Sequence, residues 1–457
     1  MTAAPSRAGL AARIAALTPG QRARLRDRVS RQVPYAQAQL TPGQHRLWQT
    51  QQRLPGSAVD VVCQAVHLTG GPVELDLLAG RVRGFADRHE ALRTTFDEHG
   101  SGIRPVVHEH LPPRLARTRV TGADEAHRLA LELAAEPFDL TAGPLLRVTL
   151  AEGPTPDESW LLVVVHNLVF DAWSFELLLD ELARPEDTAP AAAPAFSGFA
   201  REQGKWLEGP AGREAAAYWA GEAADAPPPL PTDRPRPAEG TQRRGGRVEF
   251  AVSRAVTEAI AAAAQREAAT AYTGWLAVAW AALAEFGGRQ DVLLGTFTAG
   301  RDRPDTSETV GYLLNVLPVR LREAGDGSHR ARTRAVRTAT RAALKHAAHP
   351  GELIAADAER PRVPGTHPLL DAVFVFDNLG EGGREIQGAR ADTLDLDKGT
   401  TRFDLTLAVY PGPDGTRGWL EYDEELYDEA TARRLAERFT ALAEASAGAP
   451  DGDGGQE

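Results

Sequence analysis

Two rhythms of apolar and polar residues run along the chain. "AVDVVCQAVHL" (58–68) alternates with the period of a half-buried strand, and "LDLLAGRVRGFADRHEAL" (75–92) carries apolar residues at the three-and-four spacing of a helix facing a core. "LRTTFDEHG" and "IRPVVHEHL" read as the two strands of a hairpin, "ADEAHRLALELAAEPF" as a helix, and "PLLRVTLAE" and "SWLLVVVHNL" as two more strands. An amphipathic helix follows directly, then the helical "FSGFAREQGKWL". The second half opens with the strand "GRVEFAV", the helix "RAVTEAIAAAAQREA" and a largely buried helix, "YTGWLAVAWAALAEF". "DVLLGTFTAGR", "DAVFVFDN", "RFDLTLAVYP" and "RGWLEYDEELY" are strand-like, and "EATARRLAERFTALAEA" is a closing helix. Strands and helices alternate in both halves, which predicts two facing α/β lobes.

Pro and Gly set the boundaries. The expected organisation is an amphipathic extension over 1–37, an N-terminal lobe over 38–205, a Pro-rich linker over 206–240, a C-terminal lobe over 241–446 and a disordered tail over 447–457. In the extension, Leu10, Ile14, Leu17 and Leu25 form one or two short helices broken at Pro19-Gly20.

Composition narrows the classes. The chain has 457 residues, too many for one ordinary core, with 42% hydrophobic and 25% charged residues, as in a soluble globular protein. A net charge of -12 argues against a nucleic-acid partner. No apolar run approaches the roughly 20 residues of a membrane helix. The single cysteine, Cys63, rules out an intrachain disulfide and fits a reducing cytoplasm; its alternating surroundings make it a core residue. His108 and His110 in "HEH" have no supporting ligand cluster nearby, so a strand edge is expected rather than a metal site. His346 and His349 in "HAAHP" read as surface or cavity-lining residues.

The chemistry-bearing stretch is "LLVVVHNLVFDAWSFELLLDEL" (161–182): a buried strand, a tight polar loop and a helix. On its own it supports two readings. Asp171 or Ser174 caps the helix and His166 is a satisfied core histidine, or the loop is a catalytic turn facing a cleft.

The wider sequence resembles the condensation domains of nonribosomal peptide synthetases, within the chloramphenicol-acetyltransferase-like superfamily. "LTPGQHRLW", "RHEALRTTF", "PFDLTAGPLLRV", "HNLVFDAWS", "LPTDRPRP", "GTFTAGRDRPDTSETVGYLLNVLPVRL" and "RFDLTL" follow one another in the family's order. The resemblance implies an α/β (α+β) fold of two acetyltransferase-like lobes in a V-shaped pseudo-dimer with a central tunnel. It also implies acyl transfer from a carrier-protein-bound thioester to an amine or hydroxyl acceptor. The family signature has two adjacent histidines, three variable residues, then Asp-Gly. Here His166 fills the first histidine position, Asn167 the second and usually active one, Asp171 the Asp and Ala172 the Gly. Arg301 is implied as the structural partner of Asp171. Ala172, Trp173, Ser174 and Asn315 are implied to line the tunnel or bind substrate. No cofactor bound by the chain is implied, because substrates arrive on the phosphopantetheine of carrier proteins. With no adenylation or carrier segment in the sequence, those carriers are expected in trans, with no membrane or nucleic-acid partner.

Asn167 changes the mechanism that this frame implies. An amide has donors and an acceptor but no useful basicity, so it orients or stabilises without taking a proton. Three readings remain at this point: a condensation enzyme of reduced activity, a non-catalytic module that binds carriers or recruits a tailoring enzyme, and a related acyltransferase using soluble acyl-CoA.

Overall fold

The computed structural model of the protein describes residues 40–99, 102–185, 192–236, 243–303, 306–322, 325–357, 369–370, 372–377, 383–394 and 396–448. The predicted extension over 1–37 lies outside them. Of the predicted tail, 447 and 448 close the last helix, Glu429–Gly448, and the rest lies outside the described residues.

Two mixed sheets carry the fold. The first contains β1 (Val61–Thr69), β4 (Arg114–Arg119), β5 (Leu146–Glu152), β6 (Glu158–His166), β11 (Arg384–Ile386) and β12 (Ala389–Leu394), in the order β11-β12-β1-β6-β5-β4. The second, in the order β7-β14-β13-β10-β8-β9, contains β7 (Gly245–Ser253), β8 (Val292–Thr298), β9 (Asn315–Leu321), β10 (Ala372–Phe376), β13 (Leu405–Gly412) and β14 (Gly415–Asp423). The hairpin read from the sequence is a separate ribbon of β2 (Thr94–His99) and β3 (Gly102–Val107). Each large sheet packs helices over its own hydrophobic core.

Periodicity explains the main elements. Strand β6 is buried along nearly its whole length, as "WLLVVVH" requires, and it sits between β1 and β5. Helix Ala271–Gly287 buries every residue from Thr273 to Ala284, so its apolar residues run all round rather than along one stripe. Cys63 is buried; its thiol donates to the Ala130 carbonyl at 3.3 Å and is pushed up to about 11 by burial, which makes it inert. No helix among the described residues is long and apolar enough to cross a membrane.

Two expected boundaries shift. The stretch 206–223 is not linker: helix Phe196–Glu208 runs through its start and Pro210–Ala223 forms a second helix. Pro210 stands in the first turn, where the missing N–H costs nothing, so it opens that helix instead of breaking it. The half from 241 onward does not keep to its own lobe either. Strands β11 and β12 cross to the first sheet, where β12 pairs antiparallel with β1, Ala65 opposite Leu394 and Thr69 opposite Arg390. The short, partly charged sequence of these strands is too weak a pattern to be read as strand in isolation.

Candidate functional site

The signature loop leaves the end of β6 as a single 3-10 turn, Asn167–Val169, and enters helix Ala172–Ala183. Asp171 is that helix's N-cap and does far more than cap it. Its Oδ1 accepts from the Ser174 N–H (2.9 Å), the Ser174 hydroxyl (2.8 Å) and Arg301 Nη2 (2.9 Å). Its Oδ2 accepts from Arg301 Nη1 (2.8 Å) and from the N–H groups of Leu313 (3.0 Å) and Leu314 (3.1 Å). Both side chains of the ion pair are 1% exposed. Arg301 also donates to the carbonyls of Ala299 (2.8 Å) and Thr309 (3.0 Å). The pair therefore clasps the first lobe's loop to the 299–314 segment of the second. Gly300 permits this turn: its φ is +64°, and a Cβ there would collide with the Leu313 carbonyl oxygen.

Ser174, expected at a tunnel wall, is instead part of the clasp. It is fully buried, and its hydroxyl is shared among Asp171, the Gly311 carbonyl (3.1 Å) and the Gly311 N–H (3.0 Å). A substrate has no access to it. Trp173 is half-buried with its indole N–H on the Ser307 carbonyl (2.9 Å), and Ala172 is exposed.

His166 and Asn167 are both buried. His166 Nδ1 accepts from the Leu168 N–H at 3.1 Å, which fixes its lone pair, and its Nε2 has no hydrogen-bond partner among the described residues. Burial lowers its pKa to about 4, against an opposing pull from Asp60 and with a further push down from Arg402. The ring is neutral at neutral pH and its basic nitrogen is already used. Asn167, with its amide oriented by its neighbours, turns its oxygen to the Arg402 guanidinium (3.2 Å from Nη1, closer to Nη2). Its NH2 meets the Phe170 carbonyl at 3.2 Å. The Asn167 N–H donates to the Asp60 carbonyl at 2.9 Å. Arg402 also pairs with the Asp60 carboxylate (3.1 Å) and donates to the Val59 carbonyl. Asn167 is thus a held amide beside a cation. Arg402 stands in the quoted "RFDLTL" motif, and no local pattern assigns it this place.

His166 also gives the protein a pH dependence. The folded chain keeps the ring neutral down to about 4, whereas the unfolded chain protonates it near 6.5. Its contribution to stability is complete above about 6.5 and is lost as pH falls towards 4. Between pH 7 and pH 5 the loss is about 2 kcal/mol. Urea unfolding at the two pH values measures it, and His166→Gln removes this share of the difference. An unchanged difference in that variant disproves the assignment.

Next to the clasp lies a cavity of about 500 Å³, bordered by Phe199, Trp206, Arg301, Tyr312, Asn315 and Leu344 among others. Neither His166 nor Asn167 borders it, and neither do Ala172, Trp173 and Ser174. Asn315 does, while holding its own wall: it donates to the carbonyls of Ala347 (2.9 Å) and His349 (2.8 Å) and accepts from the Gly351 N–H (2.7 Å). The opening motif reaches the same region. Thr41 and Gln44 cap each other at the start of helix Pro42–Arg53, and Gln44 donates to the Leu168 carbonyl at 2.8 Å, tying that helix to the signature loop. His346 stacks on Tyr218 with ring centres 4.3 Å apart, and His349 is buried. His108 meets the Thr95 hydroxyl and His110 meets Asp87, so the two do not converge. Among the described residues no three His, Cys, Asp or Glu side chains gather as a metal-ligand set.

Comparison with known proteins bears on the family and the fold. The family model described as "Condensation domain" matches residues 36–456. A linear gramicidin synthase polypeptide of Brevibacillus parabrevis is 34% identical over 432 residues, which is 90% of this chain and 8% of that relative. The chain therefore spans less than a tenth of that protein's length. The X-domain from teicoplanin biosynthesis has a TM-score of 0.80 at 24% identity, over 91% of this chain and 96% of the other. The X-domain in its complex with OxyB gives 0.78 at 25% identity, over 91% and 94% of the two chains.

Proposed function

The chain belongs to the condensation-domain family of nonribosomal peptide synthetases, and from that premise we propose that it forms an amide bond between a carrier-bound acyl thioester and an amine, without an imidazole base. The observation that carries this reading is the pair of held side chains at the loop. Asn167 cannot take a proton, and the His166 lone pair is committed to the Leu168 N–H. An α-amine, with an ordinary pKa of about 7.7–8.0, is already partly free base near neutrality. A hydroxyl acceptor has no comparable reserve and depends on a base to become a nucleophile. What the fold contributes is position, which alone is worth several powers of ten when reacting groups are aligned. The acyl group arrives on the phosphopantetheine of a carrier protein, in the cytoplasm, and the amine arrives free or on a second carrier.

The test is mass spectrometry of the product from an acyl-loaded carrier protein, with amine and alcohol acceptors side by side. Amide without ester is the expected result. Ester at a rate comparable to amide removes the argument for an amine acceptor.

A second reading has its own support. The likeness to an X-domain solved in complex with OxyB, together with Asn167 and Ala172 at two signature positions, fits a module that docks carriers or recruits a tailoring enzyme without chemistry. No product of either kind from a protein that binds the loaded carrier decides for it.

A further inference from the structure

An attack without a base leaves the acyl carbonyl itself to be activated, and the cavity beside the clasp holds a side chain fitted to that task. Tyr312 borders the cavity and is 3% exposed. Its ring lies against the first turn of helix Pro42–Arg53, where Gly43 leaves it room: a Cβ at 43 would stand 2.7 Å from Tyr312 Cε1. One turn further along that helix, Arg46 Nη2 donates to the Tyr312 hydroxyl at 3.2 Å, and Arg46 Nε meets Glu352 Oε1 at 3.3 Å. The same helix bonds the signature loop through Gln44 and the Leu168 carbonyl.

The direction of the Arg46–Tyr312 bond is forced. A guanidinium has donors and no acceptor, so the Tyr312 oxygen accepts from Arg46 and its own O–H proton is left for another acceptor. The hydroxyl has no second hydrogen-bond partner among the described residues. Glu352 also borders the cavity, but it gives its carboxylate to Arg46. A cation donating to one side of a hydroxyl strengthens it as a donor on the other.

We propose that the Tyr312 O–H donates to the thioester carbonyl oxygen of an apolar acyl group held in this cavity, and to the oxyanion that this oxygen becomes. The step rests on the acyl-transfer reading above and adds no base to it. As the amine's lone pair forms the nitrogen–carbon bond, the carbonyl π pair moves to oxygen, where the Tyr312 hydrogen bond strengthens. The pair then returns, the carbon–sulfur bond breaks, and the nitrogen's proton leaves with the departing thiolate as a thiol. Tyr312 keeps its proton throughout, and no other reactant is consumed. Burial raises its pKa above the ordinary value despite the pull of Arg46, so the phenol is a donor across the neutral range. The walls set the acyl class. Phe199, Trp206, Leu313, Leu314 and Leu344 border the cavity, whose volume of about 500 Å³ is that of a small-molecule pocket. The buried charges at its edge are already matched, Arg301 by Asp171 and Glu352 by Arg46.

Two measurements on the full chain test the proposal. Hexanoyl-pantetheine carrying carbon-13 at its thioester carbonyl is bound, and that carbonyl's stretch is read by isotope-edited infrared spectroscopy. The band is expected at lower frequency in the wild type than in Tyr312→Phe. Equal positions in the two proteins overturn the proposal; a bond from Tyr312 to an amide of the pantetheine gives that result, since the label reports the thioester alone. Turnover is then followed with a hexanoyl-loaded carrier protein and glycinamide. Tyr312→Phe should lose about 10²–10³-fold in kcat with KM for the carrier little changed, and a loss confined to KM overturns the oxyanion role. Arg46→Met, which lets the hydroxyl turn away, should shrink the band shift and lower kcat by less; a shift as large as the wild type's removes Arg46 from the account. Tyr312→Phe deletes one atom and keeps the ring against Gly43, and thermal melts of both variants confirm that they fold. No product from the wild type overturns the acyl-transfer reading, while the labelled band still decides whether Tyr312 holds the carbonyl. An unchanged kcat in Tyr312→Phe overturns the oxyanion role alone.

Discussion

Arg301→Ala is expected to cost about 3–5 kcal/mol of folding stability, the loss associated with stripping one partner from a buried ion pair. The variant leaves Asp171, 1% exposed, with its amide and hydroxyl donors but without the only cation paired with it among the described residues. It also frees the carbonyls of Ala299 and Thr309. The carboxylate has two escapes, to bind a proton or to draw in water, and both loosen the 299–314 segment that walls the cavity. Stability and the shape of that cavity should therefore suffer together. Replacing both partners with apolar residues should cost less than Arg301→Ala alone, since no buried charge is left behind. A urea midpoint that moves by less than the equivalent of about 1 kcal/mol would show that the clasp is no stronger than a surface pair.

Arg402→Met should approach the same size of effect for a related reason. Arg402 is the cation for Asp60, whose carboxylate is 1% exposed and whose Oδ2 has no hydrogen-bond partner among the described residues. Removing the guanidinium strips the carboxylate of its paired cation and leaves only the more distant charges of Arg46 and Lys398, for a loss of up to about 3–5 kcal/mol. It also releases the amide oxygen of Asn167. The added substitution Asp60→Asn removes the stranded charge, so the double variant should recover a substantial part of the loss. The two changes should couple by more than about 1 kcal/mol in a double-mutant cycle, and additive losses would disprove the pairing.

Much of the fold is legible in the sequence, because long periodic segments such as "WLLVVVH" and "YTGWLAVAWAALAEF" admit one reading each. The site is legible unevenly. Asp171 and Arg301 are 130 positions apart, and no local rule joins them; the ordered motifs do. Ser174 shows the limit of that method, since a motif says which residues sit near a site but not whether a hydroxyl faces substrate or closes a hydrogen-bond ring. Asp60 and Lys398 carry no signal of their own, and the "RFDLTL" motif marks Arg402 without saying what it meets. Each is an ordinary charged residue beside a turn, and their meeting depends on the passage of 384–402 from one lobe to the other, which periodicity over short polar strands does not encode.

That passage also orders events in time. Strand β1 pairs with β6 on one side and with β12 on the other, and β12 leaves the ribosome roughly 320 residues after β1, about 15–60 s at ordinary synthesis rates of 5–20 residues per second. For that interval the first lobe has an unzipped edge, the kind of edge that invites pairing with a neighbouring chain. Lys398 and Arg402 arrive in the same late stretch. The corner that handles charge at the signature loop is thus completed late, and a nascent chain halted at the Pro-rich connection has the loop in place but not its cations.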